Sequence, residues 1–201
     1  FLGQLSEEAL AVASITGVYY LIFAGIGYGL NNGLQALLSR RAGENNPAEM
    51  GRIFGQGIFI ALAIAAAGIL ITYTITPFLL RRVLHTATVA EEAISFLYIR
   101  IWGLLFLYLY QMRNALLVSM NLSKFLVLGT LAEAVANIVF DYGLIFGKLN
   151  MPQLGFNGAA IASVIAEAVG LIAIYIVIRW RRLDESLGLF STLTINQERI
   201  R

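Results

Sequence analysis

Five apolar runs, each long enough to cross a lipid bilayer, constrain this chain more than any other feature of its sequence. A helix needs ~20 apolar residues to cross ~30 Å of hydrocarbon. The runs fall at about 9–39, 50–80, 93–119, 125–146 and 155–180. The first two exceed the minimum, so they are expected to tilt, bend or project beyond the bilayer. Soluble-protein strands are a poor alternative, because the runs are too long and Ala, Gly and Leu dominate them. Of 201 residues, 59% are hydrophobic and 13% charged, too few charges to cover a water-facing globule. A soluble domain carries ~25% charged residues. The expected fold class is an all-α membrane protein, a polytopic transmembrane helix bundle.

Polar connectors separate the runs. Ala42-Gly43-Glu44-Asn45-Asn46-Pro47 is a loop with Glu49 early in the next helix, and Thr76-Pro77 ends or kinks the second span. Asn121-Leu122-Ser123-Lys124 and Gly147-Lys148-Leu149-Asn150-Met151-Pro152 make the next two turns. Positive residues sort unevenly between the two ends of the bundle. Arg40, Arg41, Arg52, Arg113, Lys124, Arg179, Arg181, Arg182, Arg199 and Arg201 share one side, against Arg81, Arg82 and Lys148 on the other. The positive-inside rule then puts the C-terminal end in the cytoplasm. With five spans the N-terminus is outside, so one more helix is expected upstream of Phe1, completing a six-helix unit. Residues 1–182 read as the membrane lobe and 183–201 as a cytoplasmic linker.

Composition also excludes functions. A net charge of +2 is too balanced for nucleic-acid binding. There are no cysteines, and His85 alone builds no metal site. No nucleophile motif surrounds His85, so enzyme chemistry and a resident cofactor are not expected.

The strongest local signal lies in the fourth run. Glu133, Asn137 and Asp141 are spaced i, i+4, i+8 and share one helix face. The two carboxylates are ~12 Å apart along the axis. Burying ionisable groups in hydrocarbon costs several kcal/mol unless they are paired, hydrated or protonated. A group there can take up H⁺ or Na⁺ on one side of the membrane and release it on the other, as a coupled transporter requires. A structural hydrogen-bond cluster between helices is the alternative. In the fifth run Ser163 and Glu167 repeat the spacing beside a small-residue row, Gly158, Ala162, Ala166 and Gly170, that suits close helix packing. Glu167 falls near mid-span and needs a partner or water. Arg113 is a natural partner for Glu133 or Glu167. Arg100, inside the third run, either snorkels or pairs with Glu92 or Asp141.

Gly25, Gly29 and Gly33 read as a close-packing, bending face of the first helix. Gly25-Ile26-Gly27-Tyr28-Gly29 fails as a dinucleotide loop, since no strand precedes it. Asn31, Asn32 and Gln35 read as a hydrated helix end or the lining of an aqueous path. Phe96, Tyr98, Trp102, Phe106, Tyr108 and Tyr110 suit lipid packing, and also organic cations through cation–π contact.

Two segments carry a family resemblance. Asn137-Ile138-Val139-Phe140-Asp141-Tyr142-Gly143-Leu144-Ile145-Phe146-Gly147 and Leu154-Gly155-Phe156-Asn157-Gly158-Ala159-Ala160-Ile161-Ala162-Ser163 resemble the fifth and sixth helices of the multidrug and toxic compound extrusion transporters. Tyr98-Ile99-Arg100-Ile101 with Gly103 resembles the start of that family's fourth helix, and Glu7-Glu8-Ala9-Leu10-Ala11 the entry to its second. The resemblance implies five helices of a six-helix lobe. The whole would be a twelve-helix antiporter of the bacterial inner membrane, exporting organic cations or amphiphiles in exchange for H⁺ or Na⁺. It implies that Asn137 and Asp141 belong to a cation site, with Ser163 as its hydroxyl residue. Glu133 and Glu167 join them as candidates. The implied partners are a small-molecule substrate, membrane lipids, a first helix and a C-terminal lobe of the same protein. Leu105 stands where the family commonly has proline, and the loops at 43–46 and 121–126 depart from its pattern. A lipid-linked oligosaccharide flippase would favour several inward arginines, whereas this membrane face is acidic. A non-transporting scaffold would make the intramembrane charges paired and dispensable.

Overall fold

The computed structural model describes residues 7–84, 86–183 and 187, with side chains from Ala9 onward. His85 and nearly all of the linker at 183–201 lie outside the described residues. Among the described residues, seven α-helices follow one another: α1 (Glu7–Gly43), α2 (Pro47–Thr74), α3 (Thr76–Val83), α4 (Ala87–Arg100), α5 (Gly103–Ser119), α6 (Leu126–Phe146) and α7 (Gly155–Trp180). A 3-10 turn, Ser123–Phe125, leads into α6. The described residues form an all-α bundle. α1, α2, α6 and α7 are each long and apolar enough to cross a membrane, and α4 with α5, bent by 45°, is long and apolar enough as one span.

Local chemistry sets the boundaries. The side chain of Asn46 accepts the Glu49 N–H at 3.1 Å and Pro47 occupies the first turn, which starts α2. Pro77 lacks an N–H, and the second span breaks there: α2 stops at Thr74 and α3 restarts at Thr76. Gly147, with φ of 65°, ends α6 in the left-handed conformation that a residue with Cβ resists. At 37 residues, α1 is ~55 Å long, well beyond the hydrocarbon thickness.

The third span contains a break without proline. The Trp102 N–H donates to Ile99, three residues back, at 3.3 Å. A continuous α-helix would have used Tyr98, four residues back. The freed Tyr98 carbonyl accepts the Tyr73 hydroxyl of α2 at 2.8 Å. Tyr73 in turn accepts the Trp102 indole N–H at 3.0 Å, and the Tyr73 and Tyr98 rings stack at 4.4 Å. Lipid offers no hydrogen bonds, so a break is tolerated only where protein groups satisfy the backbone.

α5 occupies the middle of the bundle and packs against α1, α2 and α7. Leu104, Tyr108, Met112, Leu116 and Leu117 are fully buried there, among Leu38, Phe54, Ala61 and Ile174. A second cluster joins α4, α6 and α7 through Phe96, Ile145, Ala159 and Ala160. Outward faces are apolar: Val18, Leu21 and Ile22 on α1, Val127, Leu131 and Ile138 on α6, Ile172 and Ile176 on α7. Such a surface suits lipid.

The glycines divide by contact. A Cβ on Gly158 would meet the Leu144 carbonyl oxygen at 2.6 Å, so α6 and α7 touch backbone to backbone. Gly25, Gly29 and Gly33 have nothing within 4 Å of such a Cβ, so they are not the packing face of α1. Gly27 is: a Cβ there would meet the Tyr108 ring at 2.8 Å. Asn31 is likewise no hydrated helix end, being buried twelve residues before α1 finishes.

Candidate functional site

The α6–α7 hairpin carries all five candidate residues. Contacts from Gly158 to Leu144 and from Gly170 to Glu133 set an antiparallel register. In that register the small residues Ala162 and Ala166 of α7 stand level with Asp141 and Asn137 of α6. Helices that meet through small residues approach closely. Glu133, Asn137 and Asp141 are half-buried along one face, as is Ser163 on α7, and Glu167 is 6% exposed.

Asp141 is the unusual member. Its Oδ1 is buried without a hydrogen-bond partner, and it enters no ion pair among the described residues. An unpaired carboxylate oxygen away from water is expensive. A proton or a cation would supply the partner that this oxygen lacks. Asn137 lies one turn away on the same face. Its amide oxygen is a neutral hard donor, the type that Na⁺ or a protonated acid takes.

Glu167 is in the opposite condition. Arg100 forks onto it, Nη1 to Oε2 at 3.0 Å and Nη2 to Oε1 at 2.7 Å. The Tyr20 hydroxyl donates to the same carboxylate at 3.0 and 3.2 Å. The guanidinium also lies over the Tyr20 ring, 3.6 Å from its centroid. Arg100 therefore neither snorkels outward nor pairs with Glu92 or Asp141. Arg113, the expected partner of Glu133 or Glu167, instead caps the Leu109 carbonyl at 3.2 Å and stands 5.9 Å from the Tyr175 ring. Glu133 packs against Gly170, whose Cβ would meet its Oε2 at 3.1 Å. The structure thus separates the candidates by partner: Glu167, level with Asn137 across the hairpin, is paired with Arg100 and Tyr20, whereas Asp141, nearer the α6–α7 turn, keeps an oxygen without a partner.

Sequence reasoning missed Tyr20, and noted Gly103 only as part of the family resemblance. Gly103 opens α5 where a Cβ would overlap Glu167, Arg100 and the Tyr20 hydroxyl. The dense aromatics serve mainly as packing: Phe96 lies 4.6 Å from Phe156, and the Tyr108 hydroxyl donates to the Phe23 carbonyl at 2.8 Å. Beside the α4–α5 break, Tyr73, Tyr98, Trp102 and Val164 line a recess of about 370 Å³. Among the described residues, no three His, Asp or Glu side chains converge to hold a metal.

Comparison with known proteins accords with this architecture. The chain is 27% identical over 197 residues to the "Probable multidrug resistance protein NorM" of Synechocystis, covering 96% of this chain and 41% of that protein. It is 29% identical to the protein of the same name from Halalkalibacterium halodurans, covering 89% and 39%. The chain thus spans about two-fifths of the length of these curated relatives. An inward-facing structure of a multidrug resistance MATE family transporter of the MOP superfamily superposes with a TM-score of 0.80 at 17% identity, over 92% of this chain and 45% of that one. The MATE multidrug transporter DinF-BH gives a TM-score of 0.74 at 26% identity, over 86% and 37%. The family profile MatE matches residues 1–143, most of the chain, and the chain belongs to the MatE family of membrane transporters.

Proposed function

We propose that this chain forms five helices of the N-terminal lobe of a secondary active antiporter, with Asp141 and Asn137 as its coupling-ion site. The antiporter exports organic cations or amphiphilic metabolites in exchange for H⁺ or Na⁺ across a bacterial inner membrane. Its C-terminal end is cytoplasmic, and a first helix and a second lobe complete it. One observation carries the reading: a buried Asp141 oxygen without a partner, on a membrane helix. Occupied by a proton or Na⁺, the carboxylate is neutralised and the helix tolerates a closed, dry environment. Vacated, it is charged and favours a state in which water or substrate reaches it. Two states biased by one ion are what alternating access needs. Ser163 supplies a hydroxyl to the same hairpin, and Glu133 a second acid. The names of the relatives from Synechocystis and Halalkalibacterium support drug export as the activity.

A flippase for anionic lipid-linked sugars fits less well. Such a lumen wants several free inward cations; the interior Arg100 is neutralised by Glu167, which leaves the half-buried Arg113 alone without an acid partner among the described helix-interior arginines. The test is gradient-driven dye efflux from proteoliposomes holding the full-length protein. Asp141→Asn is expected to abolish efflux while the protein remains folded and monodisperse. Unchanged efflux removes Asp141 from the mechanism.

A further inference from the structure

The intramembrane cluster on which the coupling site makes no demand is Tyr20, Arg100 and Glu167. Its members come from three helices, α1, α4 and α7, and meet at the break between α4 and α5. Both charged side chains are mostly buried, 14% and 7% exposed. A buried ion pair is a weak net stabiliser, because desolvation offsets the Coulomb attraction, yet removing one partner is costly. Such pairs therefore act more through the geometry they impose than through added stability.

The geometry here is demanding. Arg100 presents both terminal nitrogens to both carboxylate oxygens, and its plane lies on the Tyr20 ring. A lysine offers neither the fork nor the flat face. Gly103, at the first position of α5 after the break, leaves the room in which the three groups meet. The opposite side of the break is held by Tyr73, which takes the Tyr98 carbonyl that the break sets free. Kinks without proline need such a cause: glycine, or side chains entering the backbone ladder. Near the middle of its length α4 is also tied to α7 by Asn157 Nδ2 donating to Ser95 Oγ at 2.9 Å.

We propose that Tyr20, Arg100 and Glu167 are positioning residues of the transport reaction, a latch that holds the broken α4–α5 span at its 45° bend and fastens α4 to α7. The latch makes α1, α4 and α7 move as one body. Glu167 in this role holds a helix angle and binds no coupling ion. The functional half of the proposal rests on the transport reading above, while the structural half stands without it.

The test uses full-length protein in liposomes, with spin labels on cysteines introduced at the exposed positions Glu92 and Leu149. Complete straightening would swing Glu92, ~12 Å from the break, by ~9 Å. Glu167→Gln and Arg100→Gln should each lengthen or broaden the measured distance, and Arg100→Lys should behave as Arg100→Gln. Both glutamine variants should slow dye efflux without shifting its pH profile. Tyr20→Phe keeps the ring and removes only the hydroxyl, so it covers the case in which the charge variants fail to fold. It should shift the distance in the same direction by less. Asp141→Asn should leave the distance unchanged, so a failure of the transport reading shows separately from a failure of the latch. Unaltered distances in Glu167→Gln and Arg100→Gln, or in Tyr20→Phe where those do not fold, overturn the proposal. A shifted pH profile in Glu167→Gln would also overturn it, by making Glu167 a coupling acid.

Discussion

Gly103 leaves, at the first turn of α5, the space that the Glu167 carboxylate of α7 fills. The two residues lie far apart in sequence, and the contact exists because a break in the third span turns the start of α5 toward α7. Adding one methyl group at Gly103 would displace Glu167, Arg100 and Tyr20 together. Gly103→Ala is therefore expected to destabilise the protein by ~1–3 kcal/mol, the usual cost of overpacking an interior. Thermal unfolding in detergent should show a lowered midpoint against wild type.

A contrast between glycines tests the packing of α1. Gly27→Ala would press a Cβ into the Tyr108 ring and should cost ~1–3 kcal/mol. Gly25→Ala meets nothing and should stabilise the helix by ~0.5–1 kcal/mol. The same unfolding assay on both variants decides. Equal effects would mean that Tyr108 does not sit against Gly27.

On the α6–α7 hairpin, Gly158→Ala should be more damaging than Gly170→Ala. The first would meet the backbone carbonyl of Leu144, which cannot step aside. The second would meet Glu133 Cβ and Oε2 at 3.1 Å, a milder approach than the 2.6 Å to the Leu144 oxygen. Yield of monodisperse protein is the measurement, and a reversed order would contradict the register.

The loop after α1 has a small pH dependence of predictable sign. Hydrogen bonds from Arg41 and Arg40 hold the exposed Glu44 carboxyl below its ordinary value. A lowered carboxyl pKa contributes stability above the ordinary value of 4.5 and loses it as pH falls through the folded-state value. Glu44→Gln should lower the unfolding midpoint slightly at neutral pH and not at all well below pH 4.5. High salt should erase the difference, since exposed pairs are screened.

Much of this was legible in residue spacing. Apolar run length located the helices of α1, α6 and α7, because the bilayer sets one length for all of them. Glu133, Asn137 and Asp141 stood out because a charge in an apolar run is rare whatever surrounds it. The Arg100–Glu167 pair was harder. Both residues lie about the same number of residues from the starts of α4 and α7, helices entering from the same side. Starting the third span near 93 hid that match, since the polar residues Glu91 and Glu92 belong to a helix that begins at Ala87. Tyr20 carried no signal, as one tyrosine in an apolar helix is ordinary. Gly25, Gly29 and Gly33 drew attention through spacing, but spacing does not say which face a neighbour covers.

In the proposed antiport, Asp141 changes its occupancy as substrate moves. Dye-induced ion flux across liposomes holding the full-length protein measures this directly, with H⁺ and Na⁺ followed in separate runs. Wild type should show one of the two ions moving against dye, and Asp141→Asn should show dye binding without ion flux. Undiminished ion flux in Asp141→Asn would contradict the account.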